Sequence, residues 1–307
     1  MDINRSLTGR KQALMTRALI FQAVRQFFID EGYLEIDTPF RIPAPAPEVH
    51  IDAVTSGNWF LLTSPELCMK RMLAAGYDRI FQICHCWREN ERGTKHLPEF
   101  VMLEWYRSGI DYLQLMDECE NLIKFVARAL NRPESLRIAD KEIDLSGTWE
   151  RLTVQNAFQK YAGMTMEYAL SHKIFDEVMV EKIEPQLGND KPTFIYDYPA
   201  EFGALARLKK TDTSVAERFE LYIGGLELAN AFSELTDPVE QRRRFLDEAA
   251  SRAQLQRKTY PLPENFLAEL AGMPPSAGIA LGLDRLVMVF LDASCIDETV
   301  AFTPEEL

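Results

Sequence analysis

The sequence predicts an α+β protein in which helices flank an antiparallel sheet, and three features predict it. An apolar run from Ile80 to Trp87 and another from Phe100 to Tyr106 bracket a polar loop carrying Gly93 and Pro98, the pattern of an antiparallel pair. Gly224-Gly225 interrupts two alternating runs within Ala216–Leu235, a strong two-residue hairpin signal. Arg10 to Glu31 carries apolar residues at helical spacing and stops at Gly32.

Composition narrows the function classes. A hydrophobic content of 47% and a charged content of 26% are those of an ordinary soluble globular protein. No apolar run approaches the ~20 residues of a membrane span, and the polar stretch Met1–Lys11 does not resemble a secretory signal. Five cysteines, an odd number in so long a chain, point to a reducing cytoplasm. Cys84-His85-Cys86 has the wrong spacing for a metal cluster; on a strand it puts both sulfurs on one face, as buried structural thiols. A net charge of −13 argues against a nucleic-acid binder. The basic triplet Arg242–Arg244, near Glu240 and Asp247, reads as a solvated helix face.

Along the first helix Leu14, Ala18, Phe21, Val24 and Phe28 follow the repeat, while Ile20, Phe27 and Ile29 widen the stripe and point to a subunit contact. Tyr33–Ile36 reads as a short strand closed by Thr38-Pro39, and Pro43, Pro45 and Pro47 stiffen the loop after it. Thr63-Ser64-Pro65-Glu66 is an N-cap with proline at the first helical position, opening a helix to about Ala75 that stops at Gly76. Asp111 caps a helix through about Leu130. A hairpin around Ala139–Glu142, helices near Thr153–Tyr161 and Ser171–Ile183, and a strand over Pro192–Tyr196 follow. No repeat or linker marks a boundary, so residues 1–307 are expected to form one domain, with about 110–190 as a candidate helical insertion.

Three stretches carry chemistry. In the first, Phe100, Met102, Glu104 and Tyr106 share one strand face. Burying Glu104 unpaired would cost several kcal/mol, roughly, so this is either a half-exposed edge or a pocket floor that wants a cation and a flat ring. In the second, the hairpin register sets Tyr222 opposite Glu227 and Glu220 opposite Ala229. Glu220 and Glu227 then lie diagonally on one face, close enough to share a cation such as Mg²⁺ unless the hairpin simply faces solvent, and Asn230 and Glu234 continue the polar line. In the third, a strand through Gly278, Ala280 and Gly282 leads to an apolar helix that Asp284 is placed to cap. Arg285 in its first turn opposes the helix dipole, so something anionic or aromatic should offset it.

Together these stretches resemble the class II aminoacyl-tRNA synthetase catalytic core, in its lysyl branch. Gly32–Pro39 looks like motif 1, Arg88–Glu104 like motif 2 and Gly278–Arg285 like motif 3, and Glu227-Leu-Ala-Asn230-Ala-Phe-Ser-Glu234-Leu matches the lysyl pattern. Motif 1 begins almost at the N-terminus, leaving no room for the anticodon-binding domain of lysyl-tRNA synthetases. That layout, with Leu103-Glu-Trp-Tyr106, is similar to the elongation factor P lysyltransferase family, the β-lysine ligases.

The resemblance implies an antiparallel sheet flanked by helices, usually dimeric through motif 1, that uses ATP and Mg²⁺. It implies catalytic roles for Arg88, on the α-phosphate, and Arg285, over the adenine and on the γ-phosphate. Glu89, Asn90, Phe100, Glu227, Leu228 and Gly282 would complete the ATP site, with Phe100 stacked on adenine. Glu220 and Glu227 would hold Mg²⁺, and Ser64, Pro65, Glu66, Glu104, Tyr106, Asn230, Glu234 and Ala280 would surround lysine or β-lysine. The implied reaction forms an aminoacyl adenylate and passes the amino acid to a lysine of elongation factor P, without stable tRNA binding. Two positions depart from the pattern. Asn90 replaces a usual Glu and Leu97 a usual Asn, while Ala280 stands where lysyl-tRNA synthetases have Gly. The alternatives are a paralogue using a small-molecule or tRNA acceptor and a non-catalytic nucleotide- or amino-acid-binding module.

Overall fold

A computed structural model describes residues 3–132 and 134–307, with side chains from residue 7 onward; Met1 and Asp2 of the polar N-terminal stretch lie outside the described residues. Its centre is a sheet of nine strands. In spatial order Leu34–Glu35, Arg79–Trp87, Glu99–Ser108, Ser276–Gly282, Leu226–Ser233, Asp212–Ile223, Thr193–Pro199 and Glu150–Thr153 lie side by side, with Leu208–Lys209 beside Asp212–Ile223. Every pairing is antiparallel except those of the two outermost strands.

The strand period decides which face is core. Val101, Leu103 and Trp105 point into the main apolar cluster with Ala277, Ile279, Leu281, Ala229, Ala231, Phe219 and Leu221. The helices Ile3–Asp30, Tyr112–Ala129 and Leu283–Leu291 cover that face. Phe100, Met102, Glu104 and Tyr106, which the alternation groups together, occupy the opposite face. Cys84 and Cys86 are buried on one face with their sulfurs 3.9 Å apart, and His85 points outward.

Several expectations are corrected. In the first helix Ile20, Ala23, Val24, Phe27 and Phe28 form the buried stripe, so Ile20 and Phe27 belong to the core. Ala18 is exposed, and the exposed apolar side is Met15, Leu19 and Ile29, continued by Leu34. Glu220 pairs with Asn230 rather than Ala229, because a bulge at Leu228 separates the Leu221–Ala229 pair from Tyr222–Glu227. The bulge has a consequence: residues 227 and 230, an odd number apart, would otherwise face opposite sides. Asp284 does not cap its helix; Gly282 precedes it without a side-chain cap, and the Asp284 carboxylate accepts from Val101 N (2.7 Å) and pairs with Arg17. Arg244 is buried, donating to Ala206 O (2.8 Å), so only Arg242 and Arg243 form a solvated face.

Short helices over 154–186 form a separate apolar cluster around Phe158, Phe175 and Ile183 against the Thr193–Pro199 strand. The helix expected over Ser171–Ile183 breaks at Lys173, whose φ is 58°, and restarts at Phe175. Tyr112–Ala129 belongs to the main core and is capped as expected by Asp111, with Gln114 returning a bond to the cap.

Candidate active site

Two chambers open on the free face of the sheet and meet at Arg88. The larger, about 270 Å³, is lined by Arg88, Lys95, His96, Phe100, Glu227 and Arg285 among others, with Leu97, Leu228 and Gly282 in its wall. The smaller, about 70 Å³, is walled by Ser64, Glu66, Glu104, Tyr106, Asn230 and Gly278 with their neighbours. Glu48, Arg88, Met102, Asn230 and Ala280 border both. The sequence pattern thus joins a compartment of mixed charge, where Arg88, Lys95 and Arg285 face Glu48, Glu91 and Glu227, to an acidic one. Glu89, Asn90, Pro65, Glu220 and Glu234 stand outside both linings.

In the larger chamber the Arg88 guanidinium lies 5.1 Å from the Phe100 ring centroid, the two sharing the cation–π geometry of a flat binding surface. Arg285, awkward at its helix start, is compensated: it donates to Glu227 O (2.8 Å) and to Glu227 Oε2 (3.3 Å). It also reaches His96 Nε2 at 2.6 Å. A guanidinium can only donate, so that ring nitrogen accepts and the imidazole is neutral. Burial and the Arg285 charge lower the His96 pKa accordingly. The two departures have physical reasons. Asn90 has φ 67°, a left-handed conformation that asparagine tolerates better than glutamate. Leu97 is buried at the edge of the main core, an apolar contact to the chamber.

Glu227 and Glu220 flank the bulge. Burial, then the Glu220 charge, push the Glu227 pKa up, so a cation between them would be favourable. Glu220 Oε2 accepts from Tyr198 (2.7 Å) and Tyr222 (2.9 Å), and Oε1 from Arg218 (2.5 Å), which leaves Oε1 one lone pair. An all-oxygen pair with sparse protein ligands fits Mg²⁺ that takes its remaining ligands from phosphate and water.

The smaller chamber is built around Glu104. Its Oε1 accepts from Ser64 Oγ (2.6 Å) and its Oε2 from the Tyr106 hydroxyl (2.8 Å). Burial, reinforced by Glu66, lifts its carboxyl to about 8 against the pull of those bonds. The Ser64 hydroxyl also accepts from the Glu66 N–H (3.0 Å); Pro65 occupies the N-cap position of the helix Glu66–Ala74, without a side-chain cap, so the proline precedes the helix rather than forming its first residue as expected. Gly278 is required here, because a Cβ would come within 2.5 Å of Glu234 Oε1 and closer still to the Tyr106 ring.

Sequence reasoning missed the cations behind these acids. Lys70, 1% exposed, bridges Glu66 and Glu234 (2.5 Å to Glu234 Oε2) and lies 4.9 Å from the Phe232 ring centroid. Burial alone would lower its pKa, but Glu234 and Glu66 outweigh this and raise it. Arg218 donates to Asn230 Oδ1 (3.0 Å), holding the amide on the site face. Lys70 stands four residues after Glu66 and Arg218 two before Glu220, spacings that pair side chains on a helix and on a strand, so both were discoverable. Glu48 comes from the proline-rich loop, where no periodicity points to a face.

The chain is similar to known proteins over almost all of its length. Residues 2–306 match the family model described as tRNA synthetases class II (D, K and N). An elongation factor P–(R)-β-lysine ligase of Avibacterium paragallinarum is 37% identical over 97% of each chain. The proteins of that name from Sodalis glossinidius and Salmonella typhi are 37% and 38% identical, over 95% and 94% of each chain respectively. The similarity runs along nearly the full length, and the chain belongs to the class II tRNA synthetase family, in the group of the elongation factor P–(R)-β-lysine ligases.

Proposed function

We propose that the protein is an ATP-dependent ligase that activates lysine or β-lysine as an adenylate and transfers it to a lysine side chain of elongation factor P. The observation that carries this reading is the pair of joined chambers meeting at Arg88, one holding Arg88, Lys95 and Arg285 beside Phe100, the other acidic. A triphosphate suits the first. A diamino acid suits the second, its amines meeting Glu66, Glu104 and, after small rearrangement, Glu234 in charge-assisted bonds.

The substrate carboxylate attacks the α-phosphorus at the junction and pyrophosphate leaves. Arg88 there stabilises the charge of the pentavalent phosphorus, and its Nε is buried with no partner among the described residues. Phe100 and Arg285 offer the faces between which a purine stacks, with Glu227, Leu228 and Gly282 lining the same chamber. Glu89 and Asn90, at the start of the loop, would reach ATP only on loop closure. Ser64 and Pro65 set the first turn of the helix beneath the amino acid, Tyr106 and Asn230 fix its orientation, and the Ala280 methyl narrows its chamber. Glu220 and Glu227 would hold Mg²⁺, which screens the triphosphate charge. Catalysis is then positioning and charge stabilisation.

The exposed apolar row Met15, Leu19, Ile29 and Leu34 fits a homodimer contact. Five free thiols fit a cytoplasmic setting. At a net charge of −13 the protein has little with which to hold tRNA, whereas a basic loop bearing the acceptor lysine suits it. ATP–pyrophosphate exchange across a panel of amino acids tests the reading: exchange with lysine or β-lysine should far exceed that with leucine or glutamate, and equal exchange would overturn the acidic-chamber assignment.

A further inference from the structure

We infer that Glu48 is the general base of the transfer step, taking the proton that the acceptor amine must lose as it joins the activated carboxyl. The inference rests on the adenylate reading above. In an aminoacyl adenylate the reacting carbon joins the amino acid to the nucleotide, so it lies where the two chambers meet. Five residues border both chambers: Glu48, Arg88, Met102, Asn230 and Ala280. Methionine and alanine have no proton to exchange, a side-chain amide is neither acid nor base in water, and a guanidinium is a donor only. Among the five, only Glu48 brings a proton acceptor to the junction.

The other carboxylates of the site are engaged or remote. Glu66 is held by Lys70, Glu104 by Ser64 and Tyr106, and Glu227 by Arg285, while Glu91, 3.9 Å from Arg88, lines the larger chamber only and does not border the junction. No hydrogen bond engages the Glu48 carboxylate among the described residues, yet its backbone is fixed. Buried Arg252 donates to Glu48 O (2.6 Å) and Ile51 O (2.8 Å), and Val49 N donates to Glu248 Oε2 (2.8 Å). A free carboxylate on a clamped loop is the arrangement a base needs. The charges facing it are Glu66, Arg88, Glu248 and Arg218. Burial, then Glu66, lift its carboxyl to about 7, which matches its proton affinity to neutral pH.

The lone pair of the neutral acceptor amine attacks the adenylate carbonyl carbon and a C–N bond forms. The C–O bond to phosphate breaks and AMP leaves with that electron pair. One N–H proton passes to the Glu48 carboxylate and from there to solvent.

The test compares wild type, E48Q and E48A in two assays, ATP–pyrophosphate exchange and single-turnover transfer from preformed adenylate to elongation factor P. Transfer should fall by roughly 10²-fold or more beyond any fall in exchange, and E48D should recover part of it. Hydroxylamine is weakly basic, and its adduct sheds a proton directly to water. It should therefore discharge the adenylate as fast in E48Q as in wild type. Transfer and exchange falling together, or hydroxylamine discharge falling with transfer, would overturn the role of Glu48. Transfer by E48Q near the wild-type rate would do the same. Absence of exchange in the wild type would instead overturn the adenylate reading beneath it.

Discussion

Replacing Lys70 by methionine keeps the length and apolar stem of the side chain and removes only its charge. In the folded protein that charge is 1% exposed and lies between Glu66 and Glu234, the latter fully buried. Removing one partner of a buried ion pair costs about 3–5 kcal/mol, a large part of the ~5–15 kcal/mol by which domains are stable. With a urea dependence near the upper end of the usual ~1–3 kcal/mol/M, the midpoint should move down by at least about 1 M. Burial holds Glu234 and Glu104 at about 8, above the ordinary carboxylate range, so the folded state binds their protons more tightly than the unfolded state does. Stability from these groups is fully present below the ordinary carboxylate pKa and is lost as pH rises through about 8. Lys70 lowers both values, so without it they rise further. Urea unfolding followed by the fluorescence of buried Trp105 should therefore show K70M losing more stability between pH 6 and pH 8 than wild type does. An unchanged midpoint at pH 8, or equal losses over that window, would refute the claim that Lys70 holds the acidic chamber together.

Other perturbations read the chambers one at a time. Arg88→Ala should lower ATP–pyrophosphate exchange by roughly 10²-fold or more while circular dichroism and urea unfolding stay near wild type; near-normal exchange would make Arg88 structural. Gly278→Ala should displace the Tyr106 ring and Glu234 and cut amino-acid-dependent exchange at least about tenfold, with nucleotide binding by calorimetry retained; full exchange would mean that the smaller chamber is not the amino-acid site. Ala280→Gly removes a methyl from the junction, and the preference between lysine and β-lysine should shift by about 1–3 kcal/mol in relative kcat/KM. An unchanged ratio would remove Ala280 from the specificity determinants.

Much of this site is legible in the amino-acid sequence, and the reason is the two-residue period of strands. Phe100, Met102, Glu104 and Tyr106 fall on one face because a sheet buries the alternate residues Val101, Leu103 and Trp105. Gly224 and Gly225, at φ 63° and 72°, fix the hairpin for the equally local reason that its turn needs two left-handed residues. What escapes is whatever depends on a departure from the period or on distant chain. The bulge at Leu228 shifts Glu220 from Ala229 to Asn230, and nothing in the local alternation announces it. Asp284 looks like a cap, but Arg17 and the Val101 amide compete for it from 267 and 183 residues away. In the first helix both the core face and the exposed face are apolar, so period alone could not say which residues belonged to which. Glu48 reaches the site on a loop that Glu248 and Arg252, the latter 204 residues away, hold in place.

Transfer to the acceptor is the most direct test of the account. The purified protein is incubated with ATP, Mg²⁺ and β-lysine or lysine, once with elongation factor P and once with lysine tRNA. Intact mass of the factor and acid-precipitable counts on the tRNA are then measured. The account predicts a gain of one lysyl unit on one lysine of the factor and negligible charging of tRNA. Efficient charging of tRNA with the factor unmodified would contradict it.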